Sequence, residues 1–167
     1  METIEAVRRR FRPERITTLF VGESPPHSGN FFYRGNTQMQ SHMRRAVELA
    51  FGESDDFLKS FQAYGWYLDD LVLEPVDKLS RSERRARCLD AQKSLADRIE
   101  AYQPEAIVSV LKRIKSFVDA AVVISGSRVP RYDLPFPGNG NQGDFHAGMA
   151  AIIQNLPRLN RTGKISN

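Results

Sequence analysis

Glu23 lies in Gly22-Glu23-Ser24-Pro25-Pro26, directly after an apolar run, and Phe31, Phe32 and Tyr33 follow within ten residues of it. A carboxylate at the end of a strand can orient a water or accept a proton, and a neighbouring ring can stack on a planar base. The same letters fit a structural turn with Phe31 and Phe32 packed inward and Glu23 solvated, and the residues leave both readings open. Asp69 and Asp70 stand side by side in Trp66-Tyr67-Leu68-Asp69-Asp70-Leu71-Val72-Leu73. Two acids inside such a segment cost stability unless they reach a solvated cleft or find partners. The stretch from Pro130 to Gly143 holds three Pro and three Gly, with Asn139, Asn141 and Gln142 among them. Glycines let a backbone approach a phosphate, and side-chain amides can read a base edge. Ordinary Asn-Gly turns in a surface loop are the alternative.

Other polar residues offer less. His27 reads as exposed in a polar loop, and His42 as lying on a solvated helix face beside Arg44 and Arg45, which can add to a phosphate-facing patch. His146 faces either the cleft or the solvent. Cys88 is the one cysteine, so it reads as a packed thiol with no disulfide or metal partner. The chain has no His-x-Glu with paired cysteines, no Walker loop, no Gly-x-Gly-x-x-Gly after the first strand, and no Ser nucleophile elbow at Gly126. These absences argue against a zinc deaminase, a P-loop enzyme, a dinucleotide fold and an α/β-hydrolase, and no metal or organic cofactor is expected. The net charge of +4 suits a phosphate-rich partner, with Arg8, Arg9, Arg10, Arg34, Arg44, Arg45 and Lys112 as candidates for a shared basic face.

The elements that must position these residues follow from periodicity. A chain of 167 residues with 41% hydrophobic content fits one domain, with a core over residues 16–159, a short basic helix before it and a C-terminal tail expected to fray. Buried strands are expected at 16–21, 66–73 and 106–111, and a fourth near Val129. Helices are expected over 38–51, from Ser54 to Gly65, from Ser80 to about Tyr102 with Ala86, Leu89, Leu95, Ala96 and Ile99 as its buried stripe, around Ile114 to Ala121, and from an Asp144 cap onward. Strands alternating with helices of this length imply right-handed crossovers, hence a three-layer α/β/α sandwich around a mostly parallel four-stranded sheet. No stretch reads as a membrane span or signal peptide, so a cytoplasmic monomer is expected.

In order and spacing these features resemble the uracil-DNA glycosylase superfamily across residues 16–155. Leu19-Phe20-Val21-Gly22-Glu23-Ser24-Pro25-Pro26 looks like that family's first motif, a strand leading to Gly-Glu-x-Pro, and is the most specific part of the match. The Trp66 to Val72 segment is similar to the strand that carries a base-reading Asn, and the Pro135 to Gly143 loop falls where the second motif belongs. The resemblance implies base excision repair of DNA holding a damaged or deaminated base: the nucleotide is flipped and its N-glycosidic bond hydrolysed. Glu23 would then place the water, Gly22 would border the base, Phe32 or Tyr33 would stack on it, and Asp70 would read it.

Two departures carry chemistry. An ionised Asp70 accepts hydrogen bonds but donates none, so it can hold a ring N–H or an exocyclic amine but not a uracil carbonyl. The His-Pro-Ser of the second motif corresponds to Phe136-Pro137-Gly138, which leaves no histidine to stabilise charge on the departing base. Asn139, Asn141 and backbone amides would have to supply part of that, and the loop can still enter the minor groove. A non-catalytic nucleobase-binding protein on the same fold and a hydrolase of free nucleosides or nucleotides are the alternatives.

Overall fold

The computed structural model describes residues 1–160 and 164–166. Among the described residues, seven helices surround a four-stranded, all-parallel sheet in a three-layer α/β/α fold. The sheet contains β1 (Thr18–Gly22), β2 (Trp66–Asp70), β3 (Ala106–Ser109) and β4 (Arg131–Asp133), in the order β2-β1-β3-β4. β1 lies between two neighbours and is covered on both faces, which is why it reads as an unbroken apolar run. β2, although interior in burial, carries its two acids at its carboxyl end, where Val21 pairs with Asp69 and Gly22 with Asp70. From β1 the chain moves to β2 on one side and then crosses to β3 on the other. The crevice beyond the carboxyl ends of β1 and β3 is therefore the topological switch point, where open parallel sheets bind ligands.

The helices are α1 (Ile4–Arg10), α2 (Gln38–Phe51), α3 (Phe57–Ala63), α4 (Arg81–Asp90), α5 (Gln92–Tyr102), α6 (Lys115–Ser125) and α7 (Gln142–Ile152). α5 packs along α6, and α2 along α7. α2 has the expected bounds, is capped by Thr37, and buries Met39, Met43 and Val47. The expected long helix from Ser80 is instead two, α4 and α5, joined at Ala91. Six of the ten α4 residues are charged, Ala86 and Leu89 are exposed, and only Cys88 is buried, so α4 has no apolar stripe to continue into α5. A capping box of Ser80 and Glu83 fixes its start.

Other bounds shift for identifiable reasons. The fourth strand lies beyond Val129, at Arg131–Asp133, as a partly exposed edge paired to β3. α7 begins at Gln142 with Asn141 at its cap, so Asp144 lies in its first turn and is not the cap. α1 is docked and not peripheral: Thr3 caps it, and Val7 and Arg8 are buried. At the other end β5 (Arg158–Leu159) pairs antiparallel with β6 (Ile165–Ser166), while residues 161–163 and 167 of the tail expected to fray lie outside the described residues. No helix among the described residues is long and apolar enough to cross a membrane.

Candidate functional site

A cleft of about 760 Å³ opens beyond the carboxyl ends of β1, β2 and β3. Gly22, Glu23 and Asp70 form part of its lining, together with Phe31, Phe32 and residues of the loop before α7. Glu23 follows the central strand, and its carbonyl is tied to the Val72 amide at 2.9 Å, which extends the β1–β2 ladder past the strand proper and fixes where the side chain departs. The side chain is only 10% exposed. Its Oε1 accepts from Nη2 of Arg84, in α4, and from Nη2 of Arg113 at 3.0 Å. Among the described residues Oε2 accepts no hydrogen bond, so one carboxylate oxygen is anchored and the other is open to a water.

Asp69 and Asp70 find partners, and the partners come from far along the chain. Arg8 Nη2 donates to Asp70 Oδ2 at 2.8 Å, and Arg8 Nη1 lies 3.3 Å from Asp69 Oδ1. Arg98, in α5, donates to Asp69 Oδ2 at 2.7 Å and to the Asp70 carbonyl at 2.8 Å. Burial pushes the Asp70 carboxyl above its ordinary value, against the pull of Arg8. Burial also works against the charge on Arg8, but the attraction of Asp70 and Asp69 outweighs it and raises the Arg8 pKa. Asp70 Oδ1 lies over Gly22, where an added Cβ would approach it to 2.8 Å. Glycine at 22 thus leaves room for the carboxylate at the cleft floor.

The aromatic residues divide. Phe31 and Phe32 border the cleft yet are packed inward at 2% and 4% exposure, Phe32 against Phe57 and Phe61 and Phe31 with the Arg8 guanidinium 4.9 Å from its centroid. Tyr33, expected as an alternative stacking ring, does not line the cleft. Phe11 stacks on Tyr33 at 5.2 Å and Tyr67 lies near-parallel to it at 6.1 Å, and its hydroxyl donates to the Leu68 carbonyl at 2.9 Å and accepts from the Leu68 amide at 2.6 Å. With ring and hydroxyl both engaged it is a wedge between α1 and the sheet, and burial raises its pKa well above the ordinary value. In the last loop Phe136, Gly138, Asn139 and Asn141 border the cleft, whereas Pro137 is buried outside that lining. Asn139 takes the left-handed conformation at φ 52, which asparagine tolerates.

The histidines belong elsewhere. His42 is not on a solvated face: its Nδ1 lies 2.9 Å from Nε2 of His146, linking α2 to α7. Burial, then His42 and Arg45, lowers the His146 pKa. His27 has its amide bound to the Asp77 carboxylate. Of the basic residues considered from sequence, Lys112 borders the cleft and pairs with Asp133. Arg34 donates to the carbonyls of Gly29 and Glu2, which fixes its guanidinium in place, and Arg8 is buried and does not reach the surface. Cys88 is buried, as its packed reading requires.

Sequence reasoning missed Arg84, Arg98 and Arg113. Arg84 and Arg113 lie 61 and 90 residues from Glu23, so no local spacing links them. A signal did exist for Arg113: it follows β3, and loops after strands are where such sheets place their ligand groups. Among the described residues no group of three or more His, Cys, Asp or Glu could hold a metal ion. No family model matches this chain, and no curated protein matches it in sequence. What the site offers chemically is an anchored carboxylate with one open oxygen, a second acceptor on the floor, a side backed by buried aromatic rings, and cations at the rim.

Proposed function

We propose that the cleft receives one nucleobase turned out of DNA and hydrolyses its N-glycosidic bond, as in a divergent member of the uracil-DNA glycosylase superfamily. The observation that carries this reading is Glu23, anchored through Oε1 at the end of the central strand and open at Oε2, in one cleft with Phe31, Phe32 and Asp70. Oε2 orients a water toward the anomeric carbon, and the carboxylate's charge favours the cationic character that develops on the sugar. The inward-packed Phe31 and Phe32 back the side of the cleft that the base enters, while Asp70 Oδ1 accepts one hydrogen bond from a ring N–H or exocyclic amine. The water oxygen bonds to the sugar carbon as the bond to the base breaks; the base departs with the electron pair, and the water's proton passes by way of Glu23 Oε2 to the departed base. In place of the missing histidine, the Asn139 and Asn141 amides at the cleft can donate to that charge.

The missing histidine also favours a second reading, a protein that binds a nucleobase without turnover, and in the empty cleft two arginines hold Glu23 Oε1 in ion pairs. Oligonucleotides that each hold one uracil, hypoxanthine, xanthine or mismatched thymine separate the two readings. Hydrolysis predicts an alkali-sensitive break at one of these bases, reduced on the order of 100-fold or more in Glu23→Gln while binding persists. Binding with no break by the unaltered protein would leave the non-catalytic reading.

A further inference from the structure

The pairing of Arg84 and Arg113 on a single carboxylate oxygen has more capacity than Glu23 uses. One guanidinium comes from the first turns of α4 and the other from the segment after β3, and both converge on Glu23 Oε1 inside the cleft. Two positive groups face one negative one, and the other cleft carboxylates are engaged elsewhere: Asp70 with Arg8, and Asp77 with the His27 amide. Arg84 Nε is buried with no hydrogen-bond partner, so Glu23 satisfies that guanidinium only in part. Arg113 is 57% exposed and free to change partner. Planar guanidinium forks suit the several oxygens of a phosphate better than one oxygen of a carboxylate. The cleft, at about 760 Å³, falls in the range of pockets that enclose a whole drug-sized ligand, roughly 300–1,000 Å³, and so has room for more than a base.

We infer that Arg84 and Arg113 form a phosphate subsite, occupied by the Glu23 carboxylate until a nucleotide phosphate displaces it. This rests on the glycosidic reading of the cleft and names its substrate class: a base that carries its sugar and phosphate, not a free base or nucleoside. Displacement has a consequence for Glu23. When the arginines turn to the phosphate, Oε1 is freed as the sugar arrives while the Glu23 carbonyl stays tied to the Val72 amide, and in the empty site the carboxylate stays in its ion pairs.

Calorimetric titration of the full chain at constant ionic strength tests this with inorganic phosphate, deoxyuridine, deoxyuridine monophosphate and a short single-stranded oligonucleotide. Phosphate binding is expected in the unaltered protein and reduced on the order of tenfold or more in Arg113→Gln and Arg84→Gln. In Glu23→Gln it should tighten on the order of tenfold, because an internal competitor for the arginines is gone. A gain of affinity is a signature that a misfolded variant cannot give. The monophosphate should bind on the order of tenfold tighter than the nucleoside, and its affinity relative to the oligonucleotide tells a free nucleotide from a strand phosphate. Phosphate that binds Glu23→Gln no more tightly, or that ignores both arginine changes, overturns the inference. Turnover plays no part in these titrations, so an inactive protein can pass them, and an active glycosylase whose arginines merely lock Glu23 would fail them.

Discussion

Asp70 shows how a single residue's role depends on what reaches it. As a lone acid inside a strand it would be an error in the sequence; paired with Arg8 it becomes a charged acceptor on the cleft floor, with Oδ2 engaged and Oδ1 above Gly22. Removing one member of a buried ion pair leaves an uncompensated charge, so Arg8→Met should cost about 3–5 kcal/mol in chemical denaturation. The pH dependence has a defined sign. Burial raises the folded-state pKa of Asp70 above its ordinary 3.8, so the folded chain holds that proton more tightly than the unfolded one. Its contribution to stability is therefore full at acid pH and declines as pH rises through the raised value. Without Arg8 that decline steepens, and Arg8→Met should recover stability on acidification or on adding Asp70→Asn. A loss under about 1 kcal/mol would show that the pair does not hold the carboxylate.

At the scale of elements, β1, β2, β3 and α2 were legible because their burial is complete or one-sided, and apolar residues at fixed periods record that directly; the exposed edge β4 left only a weak trace. The joint at Ala91 was not legible. Alanine favours helix and no Gly or Pro marks the break, so the turn between α4 and α5 comes from packing that periodicity does not encode. Glu23, Phe32, Asp70, Asn139 and Asn141 are brought to one cleft as the strand-end argument expected, but Tyr33 and Pro137 are drawn into the interior and Arg84 and Arg113 had no local signature. The histidine contact between α2 and α7 makes a prediction at this scale. Burial and His42 depress the His146 pKa below its ordinary 6.5, so the unfolded chain binds that proton more readily. Stability from this group is complete above that value and is lost as pH falls through it. Melting temperatures measured from about pH 8 to pH 5 should fall with acidification, and His146→Gln should flatten the fall. An identical slope in the variant would remove the contact from the account.

For the whole molecule, the sheet order decides where chemistry can occur. β1 at the centre sends Glu23 to the switch point, β3 beside it sends Lys112 and Arg113 to the same crevice, and α1 folds back across the chain to supply Arg8. The excess of basic residues, +4 overall, is thus partly internal, with Arg8 buried and Arg84 and Arg98 mostly covered, and the cations that remain at the cleft rim are few and specific. The central claim is that this crevice cleaves the bond between a base and its sugar. Mass spectrometry of an intact oligonucleotide holding one altered base tests it most directly. After incubation the account predicts a strand that has lost the base and gained a hydroxyl at that one position, with no such change in Glu23→Gln. A strand of unchanged mass for uracil, hypoxanthine, xanthine and mismatched thymine alike, at protein concentrations where binding is saturated, would contradict it.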